Sequence, residues 1–199
     1  MIKLLINTPS KEKQPNSTNF GGLPVKGVDQ DIKWPKCETC SSEMEYQGKI
    51  KTDIGLELIF MCQNDPGMCD EWDANEGGNK VLVIADENLE YFNPETETNT
   101  TRNTAYSATI FEIEADSYDE AREKCEESPR DILGALYGEP DWIQNDETPN
   151  CDCCDEKMRF VAQLEEGPDH KTAMNFGGAG VGYLFDCRKG NTSKFLWQC

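Results

Sequence analysis

Histidine is nearly absent from this chain of 199 residues, which contains only His170. This single histidine lies in a polar stretch, so the sequence offers no recognisable histidine partner for a cysteine nucleophile. Long apolar runs are also missing, since no stretch approaches the ~20 residues that a membrane-spanning helix requires. The apolar residues 1–6 are too short for the core of a signal peptide and are predicted to form a strand. We therefore expect a cytoplasmic chain with no membrane association.

Basic residues are scarce as well. The 19 Lys and Arg residues are outnumbered by 38 Asp and Glu residues, which gives a formal net charge of −19. Such a surface repels nucleic acid phosphates and anionic membranes and favours a basic protein as partner. The alternative is that the acidic surface only keeps the protein soluble.

Cysteine, by contrast, is abundant, with ten residues. In a reducing compartment this number favours metal binding or free thiols over disulfides. A pattern of the form P-x-C-x-x-C-x-x-x-M-x-aromatic occurs twice, at residues 35–46 and at residues 149–160, with an offset of 114 positions. A repeated metal-ligand spacing predicts an internally duplicated chain with two local cysteine groups.

Each group is predicted to supply four thiolates to one zinc ion. The first predicted set is Cys37, Cys40, Cys62 and Cys69, and the second is Cys151, Cys154, Cys187 and Cys199. Cys153 is then left over, or it replaces Cys151. A shell of four thiolates leaves no open position for water, so the predicted zinc is structural.

Alternating and apolar segments predict an α+β fold dominated by antiparallel sheet. Strands are predicted at residues 1–6, 44–49, 56–62, 81–84, 106–115, 158–164, 182–187 and 194–198. A capping box from Ser117 to Glu120 predicts a helix that ends near Glu127, followed by a short helix or turn at residues 131–137. Residues 1–199 are predicted to form one duplicated domain. Its parts are half one (15–92), a polar linker (93–104), a strand–helix connection (105–137) and half two (138–199).

Several motifs together resemble the YwqG-like family of uncharacterised, mostly bacterial proteins. They are residues 138–144, the second cysteine motif as far as Gln163, and residues 180–187 and 195–198. Residues 21–24, the first cysteine turn and residues 60–62 are similar both to that family and to the N-terminal part of the programmed-cell-death-two family. The resemblance covers most of the chain apart from residues 93–105. The chain departs from the pattern at Lys49, which stands where the second motif has Gln163.

The resemblance implies a protein-binding role. In the first family it implies immunity against a toxin, and in the second a dedicated chaperone for a basic ribosomal protein. Both roles suit an acidic surface. We therefore predict a non-enzymatic, zinc-binding protein that binds a basic protein. Two alternatives are a cysteine-dependent redox or nucleophilic enzyme that uses Cys153 and Cys154, and a zinc-buffering or zinc-sensing protein.

Overall fold

Antiparallel strands make up most of the regular secondary structure in this molecule, with little helix. The computed structural model describes residues 1–8, 14–94, 100–102 and 104–199. Its strands are β1 (Ile2–Thr8), β2 (Asn19–Gly21), β3 (Val25–Gly27), β4 (Glu45–Thr52), β5 (Gly55–Met61), β6 (Asn79–Ile84), β7 (Leu89–Tyr91), β8 (Ala105–Ile113), β9 (Ile132–Leu136), β10 (Arg159–Glu165), β11 (Val181–Cys187) and β12 (Thr192–Gln198). One α-helix, α1 (Tyr118–Lys124), and one 3-10 turn, Pro129–Asp131, complete the described elements. The predicted sheet-rich fold is confirmed at this level.

Ten strands form one sheet in the order β12-β11-β10-β9-β1-β8-β2-β4-β5-β6, while β3 and β7 pair separately. The central pair is β1 with β8, in register from Ile2 opposite Ile113 to Thr8 opposite Ser107. The sheet curls so that its two edge strands, β6 and β12, approach each other. There the Trp197 amide donates to the Trp72 carbonyl oxygen at 3.1 Å, and their rings meet edge to face.

The hairpins next to the cysteine turns form where alternation predicts them. Strands β4 and β5 are joined by a tight turn at Asp53 and Ile54, and β10, β11 and β12 follow one another as antiparallel neighbours. A β-bulge interrupts β4 between Tyr46 and Gly48. Another interrupts β10 between Phe160 and Ala162.

Helix α1 begins where the sequence predicts. The Ser117 hydroxyl accepts a hydrogen bond from the Glu120 amide at 3.2 Å, and the Glu120 carboxylate accepts from the Asp116 amide at 2.7 Å. The Ser117 hydroxyl thus satisfies one amide of the first helical turn, and the Glu120 carboxylate satisfies the amide just before the cap. The helix ends at Lys124 rather than near Glu127, because Cys125 already has an extended backbone.

The prediction of a second helix or turn at residues 131–137 is wrong. Ile132–Leu136 form β9, which is buried along its whole length between β1 and β10. A short apolar run does not distinguish a buried strand from a helix, and pairing on both sides decides for the strand here. Gly134 permits this packing, since a Cβ atom there would lie 2.0 Å from the Gln163 carbonyl oxygen.

Part of the predicted linker at residues 93–104 packs into the fold. Residues 95–99 and 103 of this segment lie outside the described residues. The Thr100 carbonyl oxygen accepts from the Tyr46 amide at 2.9 Å. The Arg102 guanidinium donates to the carbonyl oxygens of Gln47 and Thr172 and lies 3.6 Å from the Glu45 carboxylate. Arg102 thus ties β4 to the segment that precedes β11.

Buried side chains form several clusters, and two of them lie beneath the cysteine turns. One contains Trp34, Met44, Tyr46 and Phe60 together with the first group of cysteines. The other contains Met158, Phe160, Tyr183 and Phe185 together with cysteines of the second motif. Within the described part of the chain, no helix has the length and apolar character needed to cross a membrane.

Candidate metal centre

The first cysteine turn is closed by its own backbone. The Cys37 amide donates to the Ser42 carbonyl oxygen at 2.9 Å, and the Ser41 amide donates back to the Cys37 carbonyl oxygen at 2.9 Å. Ser41 adopts a φ of 62°, which reverses the chain direction directly after Cys40. The Met44 amide donates to the Pro35 carbonyl oxygen at 2.9 Å and fixes the entry into β4.

This turn meets two further cysteines that come from the β5–β6 connection. Cys62 directly follows β5, and Cys69 lies in the loop before β6. The four sulfur atoms of Cys37, Cys40, Cys62 and Cys69 all lie within 4.8 Å of one another. The sulfurs of Cys40 and Cys62 are 3.6 Å apart. All four are free thiols, and three of them are buried, so this group could hold a metal ion.

Glu71 holds the Cys69 loop in place. Its buried carboxylate accepts hydrogen bonds from the Gly67 amide at 2.5 Å and the Cys69 amide at 3.3 Å. The loop also packs tightly against Gly78, where a Cβ atom would lie 2.1 Å from the Cys69 carbonyl oxygen. Sequence reasoning missed Glu71. Its position two residues after a candidate ligand was the available signal.

The second cysteine turn repeats the hydrogen bonds of the first. The Cys151 amide donates to the Glu156 carbonyl oxygen at 2.9 Å, and the Asp155 amide donates to the Cys151 carbonyl oxygen at 2.8 Å. Asp155 has a φ of 57°, close to that of Ser41. The Met158 amide donates to the Pro149 carbonyl oxygen at 2.9 Å, as Met44 does to Pro35.

The second group differs from the predicted set at one position. The sulfur atoms of Cys151, Cys153, Cys154 and Cys187 lie within 4.8 Å of one another. Cys153 therefore takes the place that the sequence assigned to Cys199, rather than being left over or replacing Cys151. Its sulfur packs against the β11–β12 turn, since a Cβ atom on Gly190 would lie 2.6 Å from it. The exposed Cys199 side chain lies instead against Gly177, in the glycine-rich loop before β11.

The thiols within each group differ in acidity. Hydrogen bonding to Ser42 lowers the pKa of Cys40 to about 6, whereas burial raises the pKa of Cys62 to about 11. A hydrogen bond with Cys153 lowers the pKa of Cys151 to about 6, and the same contact raises the pKa of Cys153 to about 12. Cys40 and Cys151 therefore ionise readily, and metal binding would displace the protons that Cys62 and Cys153 hold at neutral pH.

The two groups also differ in exposure. The first is buried except for the half-buried Cys40, whereas Cys153 is exposed in the second. The sulfur atoms of Cys151 and Cys153 are 3.1 Å apart, and those of Cys154 and Cys187 are 3.8 Å apart. The turn is held to the β11–β12 hairpin by ion pairs from Lys189 to Glu156 and from Lys194 to Asp152.

Neither of the remaining chemical candidates joins a cysteine group. Cys125 is half-buried and packs against the cluster between α1 and β1. His170 is exposed.

A scan against protein-family models and a search of curated proteins find no match to this chain.

Proposed function

We propose that each cysteine group holds one structural zinc ion. The observation that carries this proposal is the convergence of four sulfur atoms within 4.8 Å in each group. A tetrahedral zinc site with Zn–S bonds of about 2.3 Å has S–S edges of about 3.8 Å. The Cys40–Cys62 and Cys154–Cys187 separations of 3.6 and 3.8 Å fit this edge. The Cys151–Cys153 separation would open by about 0.7 Å to reach it.

We also propose that the chain is internally duplicated. The order of the ten-stranded sheet supports this, because β2-β4-β5-β6 on one side of the β1–β8 pair matches β9-β10-β11-β12 on the other. The bulges in β4 and β10 fall 114 residues apart, as do the cysteine motifs. In each half, a metal ion would link the C-x-x-C turn to the cysteines at the end of the hairpin that follows it.

The proposed role of the protein is to bind a basic protein in the cytoplasm, without catalysis. The face that supports this proposal runs from the end of β8 through α1 to residue 127, and we call it the acidic face. Residues 112–127 include eight acidic and two basic residues. Both basic side chains are already paired, Arg122 with Glu165 and Lys124 with Glu120. Glu112 is paired as well, with Lys3 on β1, and most of the other carboxylates remain available to a cationic partner.

Two exposed apolar side chains directly precede the acidic face on β8, one on each side of the sheet. Ile110 and Phe111 on β8 are 56% and 53% exposed. A large exposed apolar side chain beside charged groups is a common feature of protein interfaces, where it supplies contact area and the charges supply orientation. Both forms of the hypothesis, an immunity protein facing a basic toxin and a chaperone facing a basic client, would use such a surface.

Metal analysis tests the zinc proposal. Freshly purified protein is expected to contain two zinc ions per chain, and Cys62→Ser is expected to contain one and to melt at a lower temperature. Cys125→Ser changes a thiol outside both groups and should retain both ions. Protein without metal, or a Cys62→Ser variant with an unchanged melting curve, would refute a structural role for the first site.

Charge reversal tests the partner proposal. Glu123→Lys, Glu126→Lys and Glu127→Lys together should abolish capture of basic proteins at low salt, and raising salt to physiological strength should weaken capture by the wild type. Asp29→Lys, Asp31→Lys and Glu87→Lys make the same change in net charge elsewhere on the exposed surface. Equal loss in both triple variants would show that net charge, and not the acidic face, governs binding.

The competing enzymatic hypothesis has one observation in its favour, which is the exposed Cys153 thiol 3.1 Å from the acidic Cys151 thiol. If the purified protein holds no zinc and Cys151 alkylates rapidly at neutral pH, a redox or nucleophilic role would replace the structural one.

A further inference from the structure

Lys49 on β4 is a buried cation without an anionic partner among the described residues. Its side chain is 2% exposed. The Asn19 amide oxygen on β2 accepts its one hydrogen bond within the described part of the chain. An ammonium group has three donors, and burying one without a carboxylate is costly. The fold therefore contains, at this position, a charged group whose burial is energetically unfavourable.

The same position in the second motif is satisfied internally. Gln163 lies 114 residues after Lys49 and is equally buried. Its amide oxygen accepts a hydrogen bond from the Asp141 amide at 3.0 Å, in the loop that follows Gly138. The neutral Gln163 side chain therefore has a hydrogen-bond partner in the protein's own backbone. Lys49 instead is a positive charge for which the described residues supply one acceptor.

Lys49 lines a cavity of about 200 Å³. Its lining includes Ser17, Asn19, Leu23, Lys49, Ala105 and Ser107. Tyr91 also lines it and is 44% exposed, so the cavity reaches the surface. None of the described lining residues carries a carboxylate, and Lys49 is the one cation among them.

We propose that this cavity binds a small monocarboxylic acid, with its carboxylate on Lys49 and an apolar end against Leu23 and Ala105. One buried ammonium balances one negative charge, whereas a phosphate dianion would leave a charge uncompensated. The hydroxyl of Ser107 and the amide of Asn19 can orient the carboxylate, whereas the Ser17 hydroxyl already donates to the Gln14 carbonyl oxygen. The volume lies below the ~300–1,000 Å³ typical of sites for drug-sized ligands, so the acid is small.

The ionisation of Lys49 is compatible with this ligand. Burial lowers the pKa of Lys49 to about 8, so the amine is still mostly protonated at neutral pH. A bound carboxylate would stabilise the charged form further.

Titration of the full chain with butyrate, at constant ionic strength, tests the proposal. Calorimetry should show saturable binding by the wild type. Lys49→Gln, which introduces the residue found at position 163, should weaken binding about tenfold or more, as expected for the loss of a charge-assisted hydrogen bond. Ala105→Leu fills the cavity without touching the charge and should abolish binding. Lys51→Gln, on the same strand but paired with Asp86, should bind like the wild type.

Three outcomes would overturn the proposal. They are an absence of saturable butyrate binding by the folded wild type, equal binding by Lys49→Gln, and tighter binding of inorganic phosphate than of butyrate. If both cavity variants fail to fold, the competition between butyrate and phosphate on the wild type still decides the ligand class.

Discussion

Glu57 on β5 gives a prediction whose size follows from its position. The side chain is fully buried, and burial raises the pKa of its carboxyl group from 4.5 to about 7, an effect to which the nearby Asp186 also contributes. A carboxyl group whose pKa is raised on folding contributes stability that is fully present below pH 4.5 and is lost as the pH rises through 7. Between pH 5 and pH 8 the expected loss is about 2.5 kcal/mol of unfolding free energy.

Glu57→Gln removes this ionisation while keeping the shape of the side chain. We expect the variant to match the wild type near pH 5 and to become more stable than the wild type by about 2–3 kcal/mol near pH 8, measured by urea unfolding. Protonation of zinc-binding thiols at low pH acts in both proteins and cancels in the difference. Glu87→Gln, at an exposed position, serves as the control and should show no such trend. A Glu57→Gln effect that is constant from pH 5 to pH 8 would refute the reasoning.

Three further predictions concern packing and the ligand set. Arg159→Met should cost about 3–5 kcal/mol, because it leaves the fully buried Asp186 carboxylate unpaired, while Arg188→Met, at an exposed ion pair, should cost less than about 1 kcal/mol in the same unfolding assay. Gly134→Ala should lower stability by about 2 kcal/mol or more, whereas Gly138→Ala, with open space around it, should cost only about 1 kcal/mol for its left-handed backbone. Alkylation mapped by mass spectrometry should modify the exposed Cys199 before the buried Cys62 with or without zinc, whereas the Cys151–Cys153 pair, in which Cys151 ionises readily, should react in metal-free protein and be protected once zinc is added. Protection of Cys199 by zinc would restore the ligand set predicted from sequence.

The sequence predicts the elements that local pattern determines. Alternation and a short polar turn specify the β4–β5 hairpin, and Ser117 with Glu120 specifies the start of α1. The first cysteine group is also predictable, because a C-x-x-C turn and a hairpin bring Cys37 and Cys62 to the same end of the strands. These features depend on residues close together in the chain.

The errors occur where contacts between segments far apart in the sequence determine the local structure. Strand β9 reads as a helix or turn by itself and becomes a strand because β1 and β10 pair with it on both sides. The choice between Cys153 and Cys199 depends on the β11–β12 turn, where Gly190 leaves room for the Cys153 sulfur. The spacing of the cysteines in the sequence does not show that Gly190 lies close to the Cys153 sulfur.

The central β1–β8 pair sets the order in which the molecule can form during synthesis. Ile2 is made long before Ile113, its partner, and β9 is made later still. Strands β4, β5 and β6 need no such wait, since β4 pairs with β5 and β5 pairs with β6, the next strand in the chain. A growing chain can therefore close its first cysteine group while β1 has no strand to pair with. Zinc taken up at that stage would hold the earliest hairpin together until the middle of the sheet arrives.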